Sequence, residues 1–162
     1  MSIKSTASVI VPVAITDAML VSCTTAEPAS GETLWNSATS YTVGQVVTRS
    51  TTHKRYENLI AGVDATLPEV AALAIPKRWL DIGASNRWAQ FDKKIGTVTT
   101  STGNLTTVIK PGNVEGLALL DLVGVTATIT GKTDTGGTVI YSKIIDLDAS
   151  VVESFYDWMF GE

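Results

Sequence analysis

A chain of 162 residues with a formal net charge of −4 has room for one domain or two small ones, and it lacks the basic excess of a nucleic-acid footprint. Charged residues make up 17%, against about 25% in an average globular protein, and mean hydropathy is positive, so part of the apolar surface is expected to be hidden in an oligomer or assembly. Cys23 stands alone, which excludes an intramolecular disulfide and a cysteine-based zinc cage within one chain, and no stretch has the length of a membrane span.

In chain order, Met1 to Ser8 is polar and reads as an arm that is loose unless a neighbouring subunit orders it. Lys4 precedes the apolar run Val9 to Ile15, but Pro12 interrupts that run and Thr16-Asp17 ends it, so no export signal is expected and synthesis should end in the cytoplasm. The run itself, VIVPVAI, reads as a strand at a sheet edge, because Pro12 has no N–H for a ladder. An apolar edge needs cover, which makes Val9, Val11 and Val13 candidate intersubunit contacts. Thr16 to Ser22 fits either a helical turn or a continuing strand, and Thr24 to Glu32, with Pro28, Ser30 and Gly31, reads as a linker that closes a 1–33 segment.

Residues 34–93 hold three of the four tryptophans, Trp35, Trp79 and Trp88, and the only histidine, His53. Tyr41 to Gly44 is a turn in which glycine permits a positive φ. Gln45 to Arg49 alternates with β-branched residues as a strand should, and Arg55 to Leu59 is its return across the polar connection Ser50 to Lys54. Two short strands are marginal alone, so the large aromatics must form a core or be buried by a partner. Pro68 opens, and Pro76 stops, a helix-like piece over Glu69 to Ala74. Trp79 to Gly83 is a short strand, and Asn86 to Asp92 is a connector whose Trp88 and Phe91 are expected to pack at a domain joint.

From Lys94 the aromatics vanish until Tyr141. Ile95 to Thr100, Leu105 to Lys110, Gly116 to Leu122, Val125 to Thr130 and Val139 to Ile145 read as five strands separated by glycine-, asparagine- and proline-rich turns. Over 94–147 this describes an antiparallel β-sandwich or jelly roll, with Gly116 to Leu122 as a central strand covered on both faces and a hairpin turning at Gly136-Gly137. Residues 148–162 form an aromatic ending in which Val152, Phe155, Tyr156 and Met159 would share one face of a short helix over Val151 to Phe160. That face either packs on its own sandwich or docks on another protein, so Phe155, Trp158 and Phe160 join the candidate intersubunit contacts. The fold class expected is mainly β: a small aromatic-rich β unit, then the sandwich, with short helices only.

Trp35, Tyr41, Gly44, Val47, Tyr56 and Trp79 give the aromatic unit a pattern that resembles the small chitin- and cellulose-binding modules of carbohydrate-binding families 5 and 12. Gln45 stands where those modules usually carry Asp, and Glu69 to Ala74 is inserted before the closing Trp. The resemblance implies a glycan-facing role for Trp35, Tyr41, Tyr56 and Trp79. A longer likeness covers Ile15–Glu27, Trp35–Gly62 and Arg78–Thr97, where "THKRYE" and "NRWAQFD" follow patterns, STHxxYE and NRWAxFD, that resemble virion proteins of tailed bacteriophages. It implies a component of the tail or a tail appendage in the virion, in contact with copies of itself and with other tail proteins.

Reactive constellations are missing. The chain has no P-loop or dinucleotide glycine pattern, no His-Glu-x-x-His and no Cys-x-x-Cys. Asp146-Leu147-Asp148 lacks the glycine and distal Glu of a calcium loop. Asp81 and Asp92 are the acids a glycosidase would use, but nothing in the sequence sets them about 5 to 9 Å apart. His53 lies in a polar turn and reads as exposed, and Cys23 as a small buried apolar residue. No catalytic residue, metal or cofactor is expected. The leading expectation is a non-enzymatic structural protein that anchors or adapts tail or tail-fibre components; the alternative is a module recognising a host cell-surface glycan.

Overall fold

The computed structural model describes residues 12–94 and 96–147. The expected arm, Val9, Val11, the C-terminal helix and Phe155, Trp158 and Phe160 lie outside the described residues. Among the described residues the chain is mainly β, with small antiparallel sheets and two one-turn helices, and it divides into two compact units at Pro111/Gly112.

In the 12–111 unit, the first expected strand does not form over its described part. Pro12 to Ile15 carries no ladder and Val13 is exposed, which fits a proline that cannot donate and a sequence with no adjacent edge to join. A turn closed by Met19 N–H to Thr16 O (2.9 Å) leads into β1, Leu20–Cys23. A short antiparallel pair joins β2, Ser40–Tyr41, to β5, Gly62–Val63. The main sheet has the order β3, Val46–Arg49; β4, Lys54–Asn58; β6, Trp79–Ala84. Thr33 to Trp35 runs parallel along the free edge of β3, with Thr48 N–H to Thr33 O at 2.8 Å and Trp35 N–H to Thr48 O at 3.1 Å. That neighbour explains why Val47 and Thr48 are both buried: one faces the aromatics, and the other donates its hydroxyl to Glu32 (3.1 Å).

The core is Tyr41, Val47, Tyr56, Ala71, Ala72 and Trp79, with Trp35 packed against it. Gly44, at φ +83°, makes the turn that brings Tyr41 back over the sheet, a conformation a side chain would resist. Buried Asn58 fixes that turn by donating to Thr42 O (2.9 Å). Burial pushes the Tyr56 phenol up from its ordinary pKa. Helix α1, Pro68–Ala71, is shorter than the Glu69 to Ala74 piece expected, and it lays Ala71 and Ala72 on the core. A second turn of helix, α2, Asn86–Ala89, stands where an irregular connector was expected. Strand β7, Thr107–Ile109, pairs antiparallel with β1, so this segment belongs to the 12–111 unit and not to a downstream sandwich. Gly96 to Thr100 is likewise no strand: Thr99 and Thr100 are bonded to Asn86 and Gln90 on and beside α2.

The described residues of the 112–147 unit form one hairpin in place of the expected sandwich: β8, Thr126–Lys132, with β9, Val139–Asp146. The turn lies where the sequence puts it, with Gly136 at φ +77° and Gly137 N–H on Asp134 O (2.8 Å). Gly116 to Leu122 is the clearest departure. No strand pairs with it among the described residues, and its leucines are exposed.

Trp79 is fully buried, so Trp79→Ala is expected to destabilise the 12–111 unit by about 3–5 kcal/mol, measured by chemical denaturation.

Candidate functional site

Of the rings proposed for a glycan platform, Tyr41, Tyr56 and Trp79 are all at 2% exposure or less and face one another, not solvent. Tyr41 meets Trp79 edge-on with centroids 5.3 Å apart, and its hydroxyl is taken up by Asn36, accepting from N–H at 2.7 Å. The Trp79 indole donates to Asp64 (3.2 Å). Trp35 is the one ring of the set that is only half-buried. The Arg49 guanidinium sits 4.8 Å from its centroid, held by two hydrogen bonds to Glu69 (3.0 and 3.2 Å). Burial pulls the Glu69 carboxyl up, but the Arg49 hydrogen bond and charge outweigh it and leave it below the ordinary range.

The polar residues that the fold does gather lie elsewhere, around His53. This residue takes φ +54°, a left-handed conformation that histidine tolerates better than most side chains, and its carbonyl accepts from Ser85 N–H at 2.7 Å. The imidazole stacks on Trp88 with centroids 3.9 Å apart and an interplanar angle of 21°. Both ring nitrogens have a carboxylate: Nδ1 lies 2.9 Å from Glu27 and Nε2 lies 2.9 Å from Asp17. Glu27, with a side chain 5% exposed, also accepts from the Ser85 hydroxyl and from the Trp88 indole at 3.0 Å. Beside it, Arg87 donates to Thr25 O at 2.6 Å.

His53 is therefore not the exposed turn residue that its polar neighbours suggest; its side chain is 20% exposed. The hub ties the Asp17–Glu27 stretch to the start of β4, the end of β6 and α2. Its hydrogen bonds are made within the protein, while Asp17, His53 and Trp88 also line an adjacent open groove. Ser85 donates to the Glu27 carboxylate and not to the imidazole, so the hydroxyl–imidazole pair of a Ser-His nucleophile is not formed. Glu27 has each oxygen engaged and lies, 5% exposed, on the wall of a second open cavity of about 320 Å³ that Asp17, Cys23 and Arg87 also line. Nothing in the sequence marks this set, because Glu27 lies 26, 58 and 61 residues from its partners inside what reads as a linker.

An open groove of about 460 Å³ runs beside the hub, with Thr52, Lys54, Gly83, Phe91 and Lys94 among its lining. Trp88 also lines it, stacked on His53 and set at 65° to Phe91 with centroids 5.6 Å apart. Asp81, one of the two candidate acids, is paired with Lys54 and accepts from Gly83 N–H (2.9 Å). Burial raises its carboxyl, but these bonds more than offset that and hold it below the ordinary range, the reverse of what a general acid needs. Asp92 accepts from Lys94 N–H at 3.2 Å. Cys23 is half-buried, not fully enclosed. Burial pushes its thiol up, and hydrogen bonds from Thr107, Thr25 and Gln90 bring it below its usual value. Among the described residues no cluster of three or more His, Cys, Asp or Glu is placed to hold a metal ion.

No protein-family model, curated protein or solved structure matches the chain.

Two outcomes follow from these contacts. Glu27→Ala leaves the donors of Ser85, Trp88 and His53 without an acceptor and is expected to cost about 3 kcal/mol, read by urea denaturation. Because Glu69 and Asp81 titrate below their ordinary values, the stability they add is full above the unfolded carboxylate range, near about pH 4, and is lost as pH falls through the lower folded values. Glu69→Gln is expected to flatten that acid limb in denaturation curves taken at a series of pH values, and to cost about 1 kcal/mol at neutral pH, since the pair is partly screened by solvent.

Proposed function

We propose that this chain is a non-enzymatic structural protein of a tailed-phage virion, part of the tail or a tail appendage, which anchors or adapts neighbouring tail components through contacts between copies and with other tail proteins. The observation that carries the reading is the distribution of apolar surface. Leu117, Leu119, Leu120, Leu122, Val123, Val125, Ile140 and Ile144 all lie exposed on one small unit. Apolar side chains gathered in this number on one small unit support a reading in which a partner covers them. The likeness of Ile15–Glu27, Trp35–Gly62 and Arg78–Thr97 to tailed-phage virion proteins supplies the setting. The hub around Glu27 fits the same reading, since its polar groups are spent on holding segments together.

Of the β-sandwich expected for 94–147, the 112–147 part alone keeps a place in this proposal, as a structure completed by contacts between copies. The alternative role as a glycan module loses support, because three of its four rings are core and Arg49 covers the fourth.

Quantitative mass spectrometry of density-purified tailed particles tests the assignment. The chain is expected at a fixed, symmetric copy number per particle that survives high-salt washing. Recovery solely in the soluble fraction of the infected lysate would sink it.

A further inference from the structure

His53 is the only histidine of the chain, and it stands between two carboxylates. Glu27 lies 2.9 Å from Nδ1 and Asp17 lies 2.9 Å from Nε2. A neutral imidazole carries one N–H, so it serves one of these carboxylates and turns a bare lone pair on the other. Only the imidazolium donates to both. The stacking of the ring on Trp88, with centroids 3.9 Å apart, suits the same charged form, since an indole face attracts a cation.

The two carboxylates are not equivalent. The Glu27 side chain is 5% exposed and also accepts from the Ser85 hydroxyl and the Trp88 indole, whereas the Asp17 side chain is 74% exposed and is paired, among the described residues, with His53. A buried anion that faces a lone pair is costly, while an exposed one turns to water. Loss of the ring's charge therefore leaves the remaining proton on Nδ1, facing Glu27, and gives up the Nε2 bond to Asp17. Asp17 belongs to a lightly tied segment: 12–15 joins no sheet, and Thr16 O accepts from Met19 and Leu20 N–H in the turn that leads to β1. Ile15, Thr16 and Asp17 line the groove together with Trp88 and Phe91. Asp17 and Trp88 line the second cavity as well. Of the other charged groups around the ring and its carboxylates, Arg87 on α2 donates to Thr25 O, Lys54 on β4 is paired with Asp81 on β6, and Asp92 and Lys94 follow α2 on the groove.

We propose that the Asp17–His53 pair is a pH-sensitive latch on the strap formed by residues 12–17. With His53 charged, the strap is held to the hub beside the groove. When His53 gives its Nε2 proton to solvent, the strap is released and the groove widens along Trp88 and Phe91, while Glu27 keeps its hold on the ring. Histidine side chains change charge between about pH 5 and about pH 8, so the latch is closed at the acid end of that range and open at the other. The latch goes beyond the assembly reading above and does not depend on it.

The test uses the full chain and nuclear magnetic resonance, in which the single histidine gives ring signals that need no assignment among others. Ring nitrogen shifts are followed from about pH 5 to about pH 8, together with amide protection factors, which remove the intrinsic pH dependence of exchange. The expected result is a ring that keeps its Nδ1 proton and loses that on Nε2. Along the same transition the protection of the Met19 and Leu20 amides falls at least about threefold, the scale of a partly exposed ion pair. Asp17→Ala is expected to abolish that pH dependence, and because Asp17 is exposed the substitution leaves the core untouched. Protection that stays level through the ring's transition overturns the latch, as does a neutral ring with its proton on Nε2 or a ring that keeps one charge state throughout. A pH dependence that survives in Asp17→Ala overturns it also, since another group would then move the strap. Absence of the chain from purified particles would strike the virion reading and leave the latch untouched.

Discussion

The 12–111 unit depends first on the burial of Trp79. This residue begins β6, crosses from Asn58 on β4, and meets Tyr41 edge-on while Ala71 and Ala72 cap the cluster from α1. A large ring buries enough apolar area to hold a sheet whose strands are only four to six residues long. Its polar end is met as well: Asp64 accepts from the indole N–H and lies 3.2 Å from the Arg78 guanidinium, so the loop after β5 is fastened to the same point. The rings that looked like a sugar platform are thus the reason the unit can fold at its size. For Tyr41, Tyr56 and Trp79 the spacing in the sequence is accounted for by packing.

A second fastening, Glu27 with His53, Ser85 and Trp88, does for the N-terminal segment what Trp79 does for the sheet. The stretch from Thr24 to Glu32 has little apolar content, so it cannot be held by burial alone. A buried carboxylate with three donors fixes it instead. Such a cluster is specific because each partner left without its bond would be costly.

Local signals carried through to the structure where a local interaction decides the outcome. The glycine turn at Gly44, the strand on either side of Ser50 to Lys54, the strand at Trp79 and the Gly136-Gly137 hairpin are all fixed by neighbours close in sequence, and all appear. What could not be read was long-range. Thr107 to Ile109 has the composition of a sandwich strand, yet its partner is β1, more than eighty residues earlier. Thr99 and Thr100 are drawn to Asn86 by side-chain hydrogen bonds that no periodicity announces. The hub around His53 was hidden for the same reason, its members lying in segments that separately read as linker, turn and connector. Gly116 to Leu122 is a different case. Its composition predicts a strand, and the partner that would make it one is not supplied within the described chain.

This last mismatch is energetic in origin. Ordering a residue costs about 1–2 kcal/mol of backbone entropy, and an isolated two-stranded hairpin recovers too little by burial to be stable in water. The 12–111 unit offsets that cost with its aromatic core and polar fastenings. The 112–147 unit spends its apolar residues outward, on Leu120, Val123, Ile140 and Ile144. Under the proposed assembly, leucines and isoleucines that face water in the 112–147 unit would place part of its folding free energy outside the single chain. Stability and assembly of this second unit would then be one equilibrium, governed by concentration as much as by sequence.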